Sequence, residues 1–166
     1  LYGMERWQDL FNSRQKLALA TLLDHIKNCH KRIVQDCASL ISREGLGMSS
    51  EALAEAALGY LGILLSRTAD YNTMLCGWEN TREGIDHAFG RQALPMKWDF
   101  CETNIFSGSS GDWLSHLDWV LRYVRKNDWS PTSDSESNHS TATELRYDEG
   151  SLDAVVTDPP YYDKVP

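Results

Sequence analysis

The sequence has no C-x-x-C pair, no internal repeat and no apolar run long enough to cross a bilayer. Its four cysteines, Cys29, Cys37, Cys76 and Cys101, stand alone and read as reduced core residues rather than as a disulfide framework. The stretch from Leu1 to Gln15 is polar and punctuated by charge, so it does not read as a signal peptide. The longest apolar run, Ala57 to Leu65, is broken by Gly59 and Gly62 and falls far short of the roughly 20 residues a spanning helix needs. A cytoplasmic protein without a membrane partner is therefore expected. Positive charge is also scarce. With 16 Lys and Arg against 24 Asp and Glu, the formal net charge is −8. That balance argues against DNA binding by electrostatics alone, which needs clustered cations on phosphates. Two local basic groups, Lys27/Lys31/Arg32 and Arg122/Arg125/Lys126, soften the argument, although each reads first as a solvated helix face.

What is present is helical patterning. From Ser13 to Arg43, Leu19, Leu23, Ile26, His30, Ile33, Cys37 and Leu40 recur at alternating spacings of four and three. One long helix with a single packing seam is expected, capped by Asn12 or Ser13 and closed by Gly45 and Gly47. His30, lying on that stripe, is expected to be a hydrogen-bonded core histidine. A second helix is expected from Ser49 or Ser50 to Tyr71, antiparallel to the first because the Gly-rich link is short. Leu53, Ala57, Tyr60 and Leu64 form one apolar stripe on it, and Ala54, Leu58, Leu61 and Leu65 another. Such a helix is expected to lie buried between neighbours, with Gly59 and Gly62 permitting close backbone approach.

Further along, Asn80 and Glu83 resemble a capping box, which predicts a short helix over Thr81 to Phe89. Ser107 to Gly111 reads as a loop. A third strong helix is predicted over Asp112 to Lys126, with Trp113, Leu117, Val120, Leu121 and Val124 facing inward and Trp119 also assigned to packing. Asp128 to Thr143 is polar and Ser-rich, hence a linker. After it, Leu152, Ala154, Val155 and Val156 form a β-branched run that predicts a buried strand delivering a loop at its C-terminal edge.

That loop carries the chemistry. In Asp158-Pro159-Pro160-Tyr161, two prolines fix φ and remove two donors, which leaves a stiff turn with free carbonyls. Asp158 and a proline carbonyl can accept the two N–H bonds of a planar exocyclic amine while Tyr161 stacks on its ring. A base in duplex DNA would first have to be flipped out. His25, Cys29 and His30 adjoin one another, but zinc needs three or four converging ligands, so no metal is expected. No Ser/His/Asp or Cys/His set stands out.

The turn resembles the D-P-P-Y motif of DNA amino-methyltransferases. More of the chain is similar to one subgroup, the large adenine-specific DNA methylases with a zinc ribbon and an N-terminal domain of unknown function. The similar stretches are Tyr2-Gly3-Met4, Trp7, Asp9-Leu10-Phe11, Arg14-Gln15, Leu17-Ala18-Leu19, Asp70-Tyr71-Asn72, Arg91-Gln92-Ala93-Leu94-Pro95-Met96, Trp98-Asp99 and Asp153 to Asp163. The resemblance implies S-adenosylmethionine as methyl donor, DNA as substrate through the parent protein, and an α/β Rossmann-like parent domain. It also implies that a Gly-rich cofactor loop lies upstream of Leu1. Gly45-Leu46-Gly47 is the nearest candidate here, but it follows a helix rather than a strand, so neither cofactor binding nor activity is expected of this piece alone. Carried over by residue, Asp158 and Pro160 accept the amine in a turn stiffened by Pro159, and Tyr161 stacks on the base, with Tyr162 a further substrate contact of no assigned role. Arg91 and Gln92 match without a mechanism.

The expected architecture is thus mainly α: a helical insertion over residues 1–127, a linker over 128–143, and a strand with its catalytic turn over 144–166 that belongs to the remaining methyltransferase domain. Rival readings are a cytosine-amine or RNA-base methyltransferase, and a non-enzymatic helical interaction module with an incidental proline turn.

Overall fold

The computed structural model describes residues 3–90, 94, 96–109, 111–126, 138–141 and 143–158. The chain separates into two units, Leu1–Lys126 and Asn127–Pro166. The described residues are mainly helical, with four α-helices and one two-stranded antiparallel sheet.

Helix α1 (Ser13–Asn28) starts where the sequence places it. Asn12 is the cap, in a reciprocal arrangement: its Oδ1 accepts the Gln15 N–H at 2.9 Å, and Gln15 Oε1 accepts the Asn12 N–H at 2.9 Å. The expected single helix to Arg43 is instead two, α1 and α2 (His30–Glu44). Cys29 keeps right-handed helical angles (φ −75°, ψ −12°) and its N–H still reaches the His25 carbonyl at 2.9 Å, so the break is local. Asn28, Cys29 and His30 are three weak helix formers in succession. The seam is interrupted there: Ile33 and Leu40 are half-buried and Cys37 is buried, but His30 is exposed, which corrects its assignment to the core. Gly45 then closes α2 in the left-handed region (φ 68°), its N–H bonded to the Ile41 carbonyl at 2.8 Å.

Helix α3 (Ser50–Asp70) is capped by Ser49, whose Oγ accepts the Ala52 N–H at 3.1 Å. It packs on α1, α2 and α4, as its two apolar stripes require. Ala54, Leu64 and Thr68 are fully buried. Gly59 and Gly62 face outward, and a Cβ at either would meet nothing within 4 Å, so no backbone approaches them.

The short helix expected over Thr81 to Phe89 is a β-hairpin. Strand β1 (Gly77–Glu79) pairs with β2 (Gly84–Asp86) in the register Gly77↔Asp86, Trp78↔Ile85, Glu79↔Gly84. Asn80 to Glu83 form its loop rather than a capping box. Glu79 Oε1 takes the Thr81 N–H at 3.0 Å, and Glu83 turns into positive φ (48°), where a first-turn helical residue cannot sit. Against this hairpin and the segment after α3, a small core gathers Leu10, Leu75, Cys76 and Ala88, with Met4, Phe11 and Ile85 packed on it.

Helix α4 (Trp113–Lys126) begins at a buried acid. Asp112 Oδ1 accepts the Ser115 N–H at 2.7 Å and Oδ2 accepts the Gly108 N–H at 3.0 Å. Gly111 before it has φ 86°, and a Cβ there would stand 3.2 Å from Thr103 and 3.6 Å from the Tyr71 ring, so both conformation and space demand glycine. Trp113, Leu117, Val120 and Val124 face inward only in part, and the fully buried member of the face is His116. Trp119 and Leu121 are exposed, which corrects their placement in the core.

In the second unit, the described residues form neither helix nor ladder. The strand expected over Leu152 to Thr157 is therefore not formed. Among the described residues the one ladder is β1 with β2, and the Leu152 to Thr157 segment has no ladder partner there. Its apolar side chains lie open, Val155 at 64% and Val156 at 94% exposure. Most of the expected linker, residues 128–137 and 142, lies outside the described residues. Among the described residues no helix is long and apolar enough to cross a membrane.

Candidate functional site

Two constellations stand out in the first unit. The larger is a groove of about 730 Å³. One wall is α1 with its C-cap: Gln15, Ala18, Leu22 and Ile26 of the helix and Cys29 just after it share a face by their spacing of three and four. Leu61 of α3, Ile105 and Phe106 of the following loop, and Trp113 of α4 complete the apolar lining. At the rim, Arg14 pairs with Glu102 at 2.8 Å while Asn12 Nδ2 donates to the other carboxylate oxygen. These two donors, Asn12 first, hold the Glu102 carboxyl below its ordinary range.

Two carboxamides in the groove lining are buried, Gln15 at 2% and Asn72 at 3% exposure. The capping role of Gln15 uses its Oε1, which fixes Nε2 as the remaining donor, and that nitrogen has no partner among the described residues. Asn72 makes no side-chain hydrogen bond among them either. Arg14-Gln15 and Asp70-Tyr71-Asn72, stretches far apart in sequence, thus contribute to one groove.

The second constellation surrounds the end of α3. The Arg67 guanidinium lies 5.3 Å from the ring centres of both Tyr71 and Trp119, within cation–π range. Tyr71 stacks on His87 at 5.5 Å and lies tilted against His116 at 4.9 Å. His87 Nδ1 is 3.0 Å from Asp70 Oδ2, within ion-pair range but misaligned for a hydrogen bond. Asp70 is otherwise structural: its Oδ1 accepts the Phe89 N–H and its carbonyl accepts the Ala88 N–H and the Cys76 thiol. Burial pushes the Cys76 thiol up, so it stays a protonated donor rather than a nucleophile. The sequence matched Asp70-Tyr71-Asn72 without a role; the unread signal was His87 and His116, whose spacing from Tyr71 has no periodic meaning.

Of the expected catalytic residues, Asp158 is described and exposed, at the end of the second unit. Pro159, Pro160, Tyr161 and Tyr162 lie outside the described residues, as do Arg91 and Gln92. Among the described residues, no group of three His, Cys, Asp or Glu side chains converges as a metal site. His25 and Cys29 line the groove instead.

What the fold defines is a mainly helical unit with a small hairpin and an amide-bearing groove. No protein-family model, curated protein or solved structure matches this chain.

Proposed function

We propose that this chain is a segment of an S-adenosylmethionine-dependent DNA methyltransferase that modifies the exocyclic amine of adenine. The observation that carries the reading is the run Val155-Val156-Thr157-Asp158-Pro159-Pro160-Tyr161, an apolar β-branched stretch leading into an acid, two prolines and an aromatic ring. The exposure of Val155 and Val156 supports it, because a β-branched pair this open has surface to give to sheet neighbours.

In this reading Asp158 and the Pro160 carbonyl accept the two N–H bonds of an extruded adenine, and Tyr161 holds the ring by stacking. Catalysis then rests on orientation of the amine and on fixed acceptors for its developing positive charge. The described residues do not fit the main cofactor site. Gly45-Leu46-Gly47, the nearest glycine-rich stretch, closes α2 and leads into α3 with no strand before it. The cofactor loop and the sheet are assigned to the rest of a Rossmann-like enzyme, which acts on DNA in the cytoplasm.

Purified full-length enzyme, a labelled methyl donor and defined duplexes test this, with the product nucleosides resolved by mass spectrometry. N6-methyladenine is the expected product. N4-methylcytosine or a methylated RNA base would move the reading to a different acceptor, and no transfer to any nucleic acid would leave the helical interaction module in its place.

A further inference from the structure

We infer that the outer face of α4, together with Arg67 of α3, docks a peptide segment in which an apolar residue lies between acidic ones. The surface is built wholly within the first unit and does not depend on the methyltransferase reading. Arg67 is half-buried, and the rings of Tyr71 and Trp119 each lie 5.3 Å from its guanidinium carbon. It makes no ion pair among the described residues, although the chain carries 24 acids against 16 bases. Rings packed on a guanidinium cover its faces and leave the in-plane N–H groups to an acceptor, and a carboxylate fits that fork with two parallel bonds. Nε is buried, which leaves the terminal nitrogens as the donors that meet a partner.

Helix α4 extends this surface. Trp119 is 61% exposed, so part of its ring is open beyond its contact with Arg67. Spacings of four and seven put Tyr123 and Lys126 on the same face of the helix as Trp119. Tyr123 is exposed, and Arg125 and Lys126 are exposed without an ion pair among the described residues. Arg122 is already held by Asp118. Trp119 and Lys126 stand about 10 Å apart along the helix axis. Two cationic ends with aromatic surface between them are the complement of two acids flanking an apolar residue. In an extended peptide that span is about three residues. A nucleic-acid strand fits less well, because its unbroken row of phosphates meets the field of a chain with a net charge of −8. A short acidic cluster needs only the cations within a Debye length, about 10 Å.

The test is an NMR titration of the isotope-labelled 166-residue chain with a short synthetic peptide carrying leucine between two pairs of glutamates. Saturable shifts of the Trp119 indole N–H and the Arg67 side chain are expected, and the same peptide with glutamine for glutamate should cause none. Arg67→Gln should weaken binding about tenfold, the loss of a bidentate charged pair. Lys126→Glu, a change at the exposed last turn of α4, should weaken it about fivefold while the fold stays intact. A peptide with lysines in place of its distal glutamates should recover that loss. Absence of shifts at millimolar peptide, equal binding of the glutamine peptide, or unchanged affinity in Lys126→Glu would overturn the inference. Tighter saturation of the same resonances by single-stranded oligothymidylate would overturn it too, in favour of a nucleic-acid surface.

Discussion

Thr68 Oγ1 lies 3.3 Å from His116 Nδ1, with both side chains buried between α3 and α4. The same hydroxyl donates its only proton to the Leu64 carbonyl at 2.9 Å. It can therefore only accept from His116, which places the neutral ring's proton on Nδ1. Burial first, then the nearby Arg67 guanidinium, lowers the His116 pKa below the ordinary histidine value, against opposing carboxylates at Asp112 and Asp70. A histidine held neutral in the folded state binds fewer protons than the unfolded chain, so stability rises with pH across the window between the two pKa values. The contribution is complete above pH about 6.5 and is lost as pH falls through the folded-state value. An NMR titration should find the His116 midpoint below the ordinary histidine value of about 6.5. A His116 midpoint above 6.5 would contradict this packing.

The Asp112 cap is separable from its charge. Removing the side chain in Asp112→Ala strips the first turn of α4 and the Gly108 N–H of their acceptor, and should cost roughly 1–2 kcal/mol in urea denaturation. Asp112→Asn keeps one acceptor oxygen and should lose less than half of that. Equal losses would mean that charge rather than capping is at work. Hydrogen bonds from Ser115 hold the Asp112 carboxyl below its ordinary range. This part of the stability is present above the unfolded carboxyl value of about 3.9 and disappears as acid protonates the group.

Packing around α3 predicts the most sensitive core position. Leu64 is fully buried on the helix that touches all three others. Leu64→Ala should destabilise the chain by about 2–5 kcal/mol, from lost transfer energy and the cavity left behind. A loss below about 1 kcal/mol would show that α3 is not the centre of the fold.

Val156 distinguishes the two settings of the terminal segment. At 94% exposure, Val156→Asp should change the stability of the 166-residue chain by no more than about 0.5 kcal/mol. If the proposed methyltransferase reading holds, the same substitution in the full-length protein should abolish methyl transfer, because it would place a charge within the sheet. Unchanged activity there would remove this segment from any buried strand.

The helices were legible because their signals are local. Asn12, Ser49 and Asp112 sit beside periodic apolar runs, and caps with periodicity need no knowledge of distant contacts. Three expected elements failed for reasons the local pattern does not contain. The 3–4 spacing continues through Cys29, so the bend there left no periodic trace. Asn80 and Glu83 have the spacing of a capping box, but the glycines at 77 and 84 bracket a hairpin, and which wins depends on the core under Ile85. Leu152 to Thr157 has strand composition, yet a strand exists only with a neighbour. The groove was illegible for a related reason, since Gln15 and Asn72 meet only through the return of α3.

The central claim is that Asp158 accepts the target amine, and one substitution addresses it most directly. In the full-length enzyme, methyl transfer to duplex DNA should be abolished by Asp158→Ala, while calorimetric binding of S-adenosylmethionine stays within about twofold of the parent, a difference of less than ~0.5 kcal/mol. Transfer at the parental rate in that variant, with cofactor still bound, would contradict the account.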